Sequence, residues 1–292
     1  MLNLVVPKGS LEKETLRLFA EADIPIKRES EREYNARVPD PRIDRVKLLR
    51  PQEIAGYVQQ GYFDIGITGY DWVCESKADV AEVMDLDYNK QGVGAPVRIV
   101  LAVRQDSGVA RPEDLRPGTR ISTEYPNLTR QFFDSLGTPV EIMVSYGATE
   151  AKVPEIADAV VEITETGSTL ARHGMKIVAT VLESSTKLVA NKTSYADRAK
   201  RREIDEICTL LAGVIEGRGK VLLKMNVPEE KLEAVISALP TMKAPTISRL
   251  FNSGYYSIET VAARTDVNLL LPKLKKRGAE DILELPITKI IK

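Results

Sequence analysis

The window Ala159–Leu170, AVVEITETGSTL, concentrates residue types that can bind a phosphorylated sugar. A β-branched strand runs through the acidic residues Glu162 and Glu165 into a Thr-Gly-Ser-Thr loop, and a helix-forming stretch, LARHGM, follows. Gly167 lets the backbone come close to a phosphate, and the loop and helix start aim amide N–H groups outward. The hydroxyls of Thr166, Ser168 and Thr169 add donors. Glu162 or Glu165 can then accept hydrogen bonds from ribose hydroxyls. An ordinary strand-to-helix turn also accommodates a bare TGxT, so the pattern needs context before it means phosphate.

Other strand ends carry weaker signals of the same kind. PKGS, residues 7–10, follows the strand LNLVV and precedes a helix, where Lys8 and the N–H groups around Gly9 and Ser10 can meet a diphosphate or simply form a solvated loop. ITGYD ends a buried strand in a glycine turn, with Asp71 at the loop tip either bordering a ligand or capping a helix. Tyr125 in EYPNL can stack on a nucleobase or pack in a core. Trp72, Cys74 and His173 lie in helical stretches and read as packing residues. With one histidine and two distant cysteines, a zinc cage, an HExxH site and a disulfide framework are not indicated, and no protein metal ligand is assigned.

The elements that position these loops alternate between strand and helix. Leu11, Leu16, Phe19 and Ala20 recur at helical spacing after the first strand. A helical PQEIAGYVQQG precedes the apolar run FDIGITG, and VRIVLAV, TRISTE, VEIMV and AVVEIT give further short strands. Lys27–Arg50, with eight Lys or Arg against five Asp or Glu, reads as an irregular or edge-strand region beside a cleft. The pattern predicts an α/β fold with a mostly parallel architecture and two crossings between lobes, of the periplasmic-binding-protein type. Lobe I takes residues 1–94 plus 181–216, and lobe II takes 95–180. From residue 217 to 292 the order becomes strand, helix, strand, strand, helix, strand, the ferredoxin-like βαββαβ arrangement.

The bulk numbers fit. A chain of 292 residues exceeds the roughly 250 at which single cores stop growing. With 43% hydrophobic and 28% charged residues it has ordinary globular composition. A net charge of -1 provides no general field for nucleic acid or an anionic membrane, so small ligands are expected. Met1–Ser10 shows no basic leader or cleavage site, and no apolar stretch approaches the roughly 20 residues of a membrane span. A cytoplasmic, soluble protein is the expectation.

VVEITETGSTL resembles the signature of ATP phosphoribosyltransferases, and VVPKGSL, LLRPQEI, DIGITGYDW, EYPNLTRQFF, LPTMKAPTISRL and KKRGAEDILELPI agree with that family in order. The resemblance implies transfer of 5-phosphoribosyl from phosphoribosyl diphosphate to N1 of ATP, the first step of histidine biosynthesis. It places Arg32 and Arg50 as catalytic residues around the diphosphate, Lys8, Gly9, Ser10, Asp71 and Tyr125 in substrate binding, and Mg²⁺ on the substrate oxygens. It further implies a tail that binds histidine as inhibitor, with candidate contacts at Asn226, Thr246 and Ala279, assembly as a homo-hexamer or dimer, and AMP as a possible competitor of ATP. Glu162 stands where the family usually has Asp, and Ser10 where it has Arg. A solute-binding protein and an amino-acid sensor with an inactive transferase half are the rival readings.

Overall fold

The computed structural model describes residues 1–86, 88, 89, 92, 93, 97–240, 242 and 244–292. The chain divides into two compact units, 1–208 and 209–292.

The first unit opens with β1 (Leu2–Pro7), α1 (Glu12–Glu21), β2 (Asn35–Ala36), β3 (Ile43–Leu49), α2 (Pro51–Gln59), β4 (Ile65–Gly69), α3 (Tyr70–Ser76) and β5 (Ala81–Asp85). A short hairpin, β6 (Tyr88–Asn89) and β7 (Gly92–Val93), leads to β8 (Val97–Arg104), β9 (Thr119–Thr123), α4 (Pro126–Leu136), β10 (Val140–Val144) and β11 (Ala159–Thr164). Then come α5 (Ser168–Arg172), β12 (Met175–Ser184), β13 (Thr186–Ala190) and α6 (Lys192–Ala196), and α7 (Arg198–Gly217) carries the chain from the first unit into the second.

Two sheets form in the first unit, ordered β2-β3-β1-β4-β13-β5 and β10-β9-β11-β8-β12. In the first, β1 pairs in parallel with β3 and β4, and both β1 and β4 are almost wholly buried. A strand covered on both faces needs apolar residues on both, which is why LNLVV and IGITG read as continuous runs. In the second sheet, β9, β10 and β11 are parallel, while β8 runs antiparallel to β11 and β12.

Three details differ from the sequence reading. The sheets are mixed rather than mostly parallel, because β13 runs antiparallel to β4 and β5 just as β8 does to β11 and β12. β3 lies inside the first sheet between β2 and β1, although its segment reads as irregular or edge, because Val46 and Leu48 alternate towards the core, Ile43 joins them across a register shift, and together they outweigh the surrounding charge. β12 stays in the second sheet as far as Ser184, so the return crossing falls between Ser184 and Thr186, past residue 181. The expected boundary at 94/95 lies outside the described residues.

Asp64, at the head of β4 and 5% exposed, ties this framework together. It accepts the Asn3 N–H at 2.7 Å and both the Ser194 hydroxyl and the Lys200 ammonium at 2.6 Å. Burial pushes its carboxyl up, but these donors outweigh burial and hold it below the usual carboxylate range. A depressed carboxyl stabilises the fold above its unfolded pKa and stops doing so as pH falls through the folded value. Asp64→Asn is therefore expected to cost about 2 kcal/mol at pH 7, with the difference from wild type shrinking below about pH 4. Urea titrations across that range check it, and a pH-independent difference would contradict it.

The second unit contains β14 (Lys220–Pro228), α8 (Leu232–Ile236), β15 (Thr246–Arg249), β16 (Tyr255–Ala263), α9 (Arg264–Lys276) and β17 (Glu280–Pro286). Their antiparallel sheet, ordered β15-β16-β14-β17, is the ferredoxin-like arrangement. Val221, Leu223, Met225 and Val227 alternate inward from β14 to meet Val267, Leu270 and Leu274 of α9. Among the described residues of either unit, no helix is long and apolar enough to cross a membrane.

Candidate active site

Parallel strands deliver their carboxyl ends to one edge of a sheet, and ligand crevices form there. β1, β3 and β4 bring Lys8–Ser10, Arg50 and the start of α3 to one such edge. β9 and β11 bring Glu124, Tyr125 and the loop 165–169 to the edge of the other. The two edges enclose a chamber of about 690 Å³ lined by Lys8, Gly9, Ser10, Arg50, Trp72 and Tyr125 among others. A smaller chamber of about 250 Å³ shares Glu124 and Ile163 with it and is lined by Glu150, Glu162, Glu165, Thr166, Ser168 and Thr169.

The larger chamber is basic at one end. Lys8 Nζ stands 4.0 Å over the Tyr34 ring and donates to the Arg32 carbonyl at 3.4 Å. Arg50 is exposed at the start of α2, where its extended backbone, followed by Pro51 in the first turn, is a usual helix entry. The backbone of the first loop is committed elsewhere: Lys8 N–H donates to the Leu49 carbonyl at 2.7 Å and Gly9 N–H to Glu12 Oε2 at 3.1 Å. The side chains of Lys8 and Ser10 line the chamber beside them. Arg32 is exposed and lines neither chamber.

The smaller chamber is acidic and rich in hydroxyls. Burial pushes the Glu162 carboxyl up, its Thr149 and Ile163 donors pull it down, and the neighbouring Glu124 and Glu150 raise it again. Burial also raises Glu124, partly offset by Lys152. Gly167 begins α5 with φ +78°, a left-handed conformation that favours glycine, and donates its N–H to Thr164 Oγ1 at 2.8 Å. Thr166 Oγ1 donates to Ser168 Oγ at 3.0 Å, so the loop is held by its own hydroxyls. Hydroxyl donors beside several crowded carboxylates suit a phosphorylated, polyhydroxylated ligand that arrives with a cation.

Asp71 and Tyr125 sit differently from the sequence reading. The helix starts at Tyr70 with Gly69 as its cap, so Asp71 lies in the first turn and is 2% exposed. A Cβ on Gly69 would overlap Asp71 Oδ1, and the glycine leaves that carboxylate room. Tyr125, also 2% exposed, stacks its ring on Trp72 at 4.5 Å and 26°. Trp72 is half-buried and presents the more open aromatic surface to the chamber. Glu75 accepts the Asn127 and Leu128 N–H groups at 2.9 Å, joining α3 to the start of α4 across the two sheets.

Glu124 and Glu150 are lining residues that sequence reasoning left out, and Trp72, which read as packing, lines the larger chamber. Glu124 follows the strand TRIST and immediately precedes Tyr125, a position that could have identified it. The thiols are poor nucleophiles: burial raises Cys74 and pushes Cys208 up to about 12. His173 is exposed, with Nδ1 3.0 Å from the Thr169 carbonyl.

In the second unit, Asn226 donates to Asp281 Oδ2 at 3.0 Å and Thr246 is exposed at the start of β15. Register places Thr246 opposite Glu259 and Lys224, on the same face as Asn226 but beyond β16. Ala279 is buried in the core, one residue before Glu280, the partner of Asn226.

Comparison with known proteins agrees with this arrangement. The family described as "ATP phosphoribosyltransferase" matches residues 50–213, and "HisG, C-terminal domain" matches 217–289. The "ATP phosphoribosyltransferase" of Desulforudis audaxviator (strain MP104C) is 45% identical over 290 residues, 99% of each chain. The "ATP phosphoribosyltransferase 1" of Geobacter sulfurreducens is 46% identical over 292 residues, covering 100% of this chain and 99% of its own. The solved ATP phosphoribosyl transferase (HisG:HisZ) complex from Thermotoga maritima superposes with a TM-score of 0.62 at 27% identity, over 72% of this chain and 96% of that one. End-to-end similarity at this level, on a fold whose two sheets converge on a basic and a hydroxyl-lined chamber, means that the chain belongs to the ATP phosphoribosyltransferase family, in the form that carries the C-terminal domain.

Proposed function

We propose that the cleft of this transferase joins the 5-phosphoribosyl group of phosphoribosyl diphosphate to N1 of ATP, the reaction that begins histidine biosynthesis. The observation that carries this reading is the pairing of the basic chamber at Lys8 and Arg50 with the adjoining hydroxyl and carboxylate chamber. The 5-phosphate lies against the hydroxyls of Thr166, Ser168 and Thr169, with Glu162 and Glu165 accepting the ribose hydroxyls. The diphosphate extends to Lys8, Ser10 and Arg50, where a guanidinium fork matches its oxygens. The adenine meets the Trp72 face, behind which Tyr125 is stacked.

N1 attacks C1′ with its own lone pair, the N1–C1′ bond forms, and the C1′–O bond breaks with its electrons leaving on diphosphate. No general base is required. The residues contribute alignment of the two substrates and positive charge at the departing oxygens. Arg32 takes part through the carbonyl that receives Lys8, while its side chain stays outside the chambers.

Among the described residues no three His, Cys, Asp or Glu are grouped to hold a metal ion. The carboxylates of the smaller chamber are hard oxygen donors, and a few of them fit Mg²⁺ that arrives on substrate. Glu162 and Glu165 are the residues able to share it, and it supplies charge neutralisation for the leaving group. The catalytic part is assigned as two lobes, as in the division 1–94 plus 181–216 and 95–180, with the return boundary moved to the crossing between Ser184 and Thr186. Residues 217–292 are assigned to regulation, with histidine as inhibitor bound near Asn226, Thr246 and Ala279 in a homo-hexameric or dimeric assembly, and the cytoplasm is the assigned compartment. The separation of Thr246 from Asn226 by a whole strand favours a ligand site completed by another copy.

Absorbance-monitored formation of phosphoribosyl-ATP from ATP, phosphoribosyl diphosphate and Mg²⁺ tests the catalytic reading, and folded protein without turnover would overturn it. Histidine is expected to suppress that turnover several-fold, and AMP to displace bound ATP. Turnover indifferent to histidine would remove the effector assignment while leaving the enzyme.

A further inference from the structure

The most deeply buried carboxylate at the cleft wall is fully engaged by protein groups. Ser184 Oγ donates to Asp71 Oδ1 at 2.7 Å, and the Tyr125 phenol donates to Oδ2 at 2.9 Å. The Asp71 backbone N–H returns to Ser184 Oγ at 2.9 Å. These three side chains come from three places: the first turn of α3 just past β4 of the first sheet, the residue before α4 just past β9 of the second, and the last residue of β12, where the chain crosses back. Tyr70 N–H fastens the same crossing by donating to the Ser185 carbonyl at 2.9 Å.

What these groups hold is the aromatic wall. Tyr125 stacks on Trp72, and Trp72, next in sequence to Asp71, faces the larger chamber. Ser184 itself is 2% exposed and lines neither chamber. We propose that Ser184 is a positioning residue for ATP: its hydroxyl orients the Asp71 carboxylate, which fixes Tyr125 and, through the stacked pair, the Trp72 surface on which the adenine rests. This rests on the reading of the cleft as an ATP site.

The physical reason is the asymmetry of buried hydrogen bonds. Burial pushes the Asp71 carboxyl up, so the donors around it set both its charge and its rotamer. A buried acceptor deprived of one donor is strongly penalised and turns towards others, and in a connected network the disturbance spreads. The Asp71–Tyr125 bond is the next link, and its loss removes the polar anchor that sets the tilt of the otherwise packed Tyr125 ring. The groups assigned to phosphoribosyl diphosphate stand at or past the ends of β1, β3 and β11 and share no hydrogen bond with these three side chains, Glu162 alone reaching Tyr125 by charge.

The test is Ser184→Ala in the full chain, with kcat and both KM values measured and the emission of Trp72, the only tryptophan, followed during ATP titration. Loss of one hydrogen bond to a buried carboxyl group predicts about a tenfold rise in KM for ATP, with kcat and KM for phosphoribosyl diphosphate within about twofold. The response of Trp72 to ATP should shift to correspondingly higher concentration. Tyr125→Phe keeps the ring but removes the donor, and should act in the same direction. The double variant should fall short of the product of the two, since both act through Asp71. If Ser184→Ala does not fold, Tyr125→Phe carries the same comparison.

An unchanged KM for ATP, in protein whose Trp72 responds normally, overturns the positioning role and leaves the ATP site standing. Equal rises in both KM values overturn it in favour of general support of the crossing. If saturating ATP leaves wild-type Trp72 emission unmoved while turnover proceeds, the adenine lies elsewhere, and both the reading and the proposal fail.

Discussion

Gly167→Val is expected to abolish phosphoribosyl diphosphate binding while the protein remains folded. Gly167 adopts φ +78°, and a Cβ there would lie 3.1 Å from Ile177 Cδ1. A β-branched residue in the left-handed region costs about 1–2 kcal/mol or more, and the loop can relieve this only by rotating its backbone. That rotation removes the Gly167 N–H from Thr164 Oγ1 and swings Thr166, Ser168 and Thr169 away from a common focus. Loss of an aligned set of donors predicts a fall in affinity of about a hundredfold or more. The neighbouring residues Thr166, Ser168 and Thr169 are all exposed, so the unfolding transition should change little. Titration calorimetry with phosphoribosyl diphosphate and Mg²⁺ reads this directly. Affinity equal to wild type would remove the phosphate role of the loop, and Gly167→Ala should fall between the two.

Arg50→Ala should lower kcat by about 10²–10³, because charge stabilisation at a departing group is lost in a partly enclosed site. The fold should tolerate it. Arg50 is exposed, makes no side-chain cap, and hands over to Pro51, whose fixed φ already suits the start of α2. Stability within about 0.5 kcal/mol of wild type is therefore expected. Arg50→Lys should recover only part of the rate, since an ammonium cannot present the planar fork that spans two diphosphate oxygens. KM for ATP should stay close to wild type. Turnover of Arg50→Ala within a few-fold of wild type would transfer the leaving-group role to Lys8.

The two variants probe loops of different visibility in the sequence. TGST declares itself because glycine, hydroxyls and acids are adjacent, and adjacency is what a sequence reports. Arg50 is one of eight basic residues between 27 and 50, and nothing local separates it from Arg32. Strand ends separate them: Arg50 follows β3 directly into the chamber, whereas Arg32 lies in a turn whose carbonyl alone reaches Lys8.

Asp71 illustrates the same limit. A residue just after a buried strand is correctly located along the chain, but its direction depends on what packs against it. Ser184, 113 residues away, and Tyr125, 54 away, draw the carboxylate inward, and Trp72 takes the outward position. Glu75 likewise gains its role only when α4 brings two N–H groups of its first turn to it.

Local periodicity and turn chemistry by themselves determined most of the strands and helices, the βαββαβ order of the tail and the glycine turn at Gly167, because period, glycine and proline act over a few residues. Only the tertiary structure decided that β3 is internal, that the crossing falls after Ser184, that Tyr125 is covered by Trp72 and that Asp71 is a buried anchor. Those outcomes depend on pairings across tens of residues, where no local pattern records which side chain will find which partner.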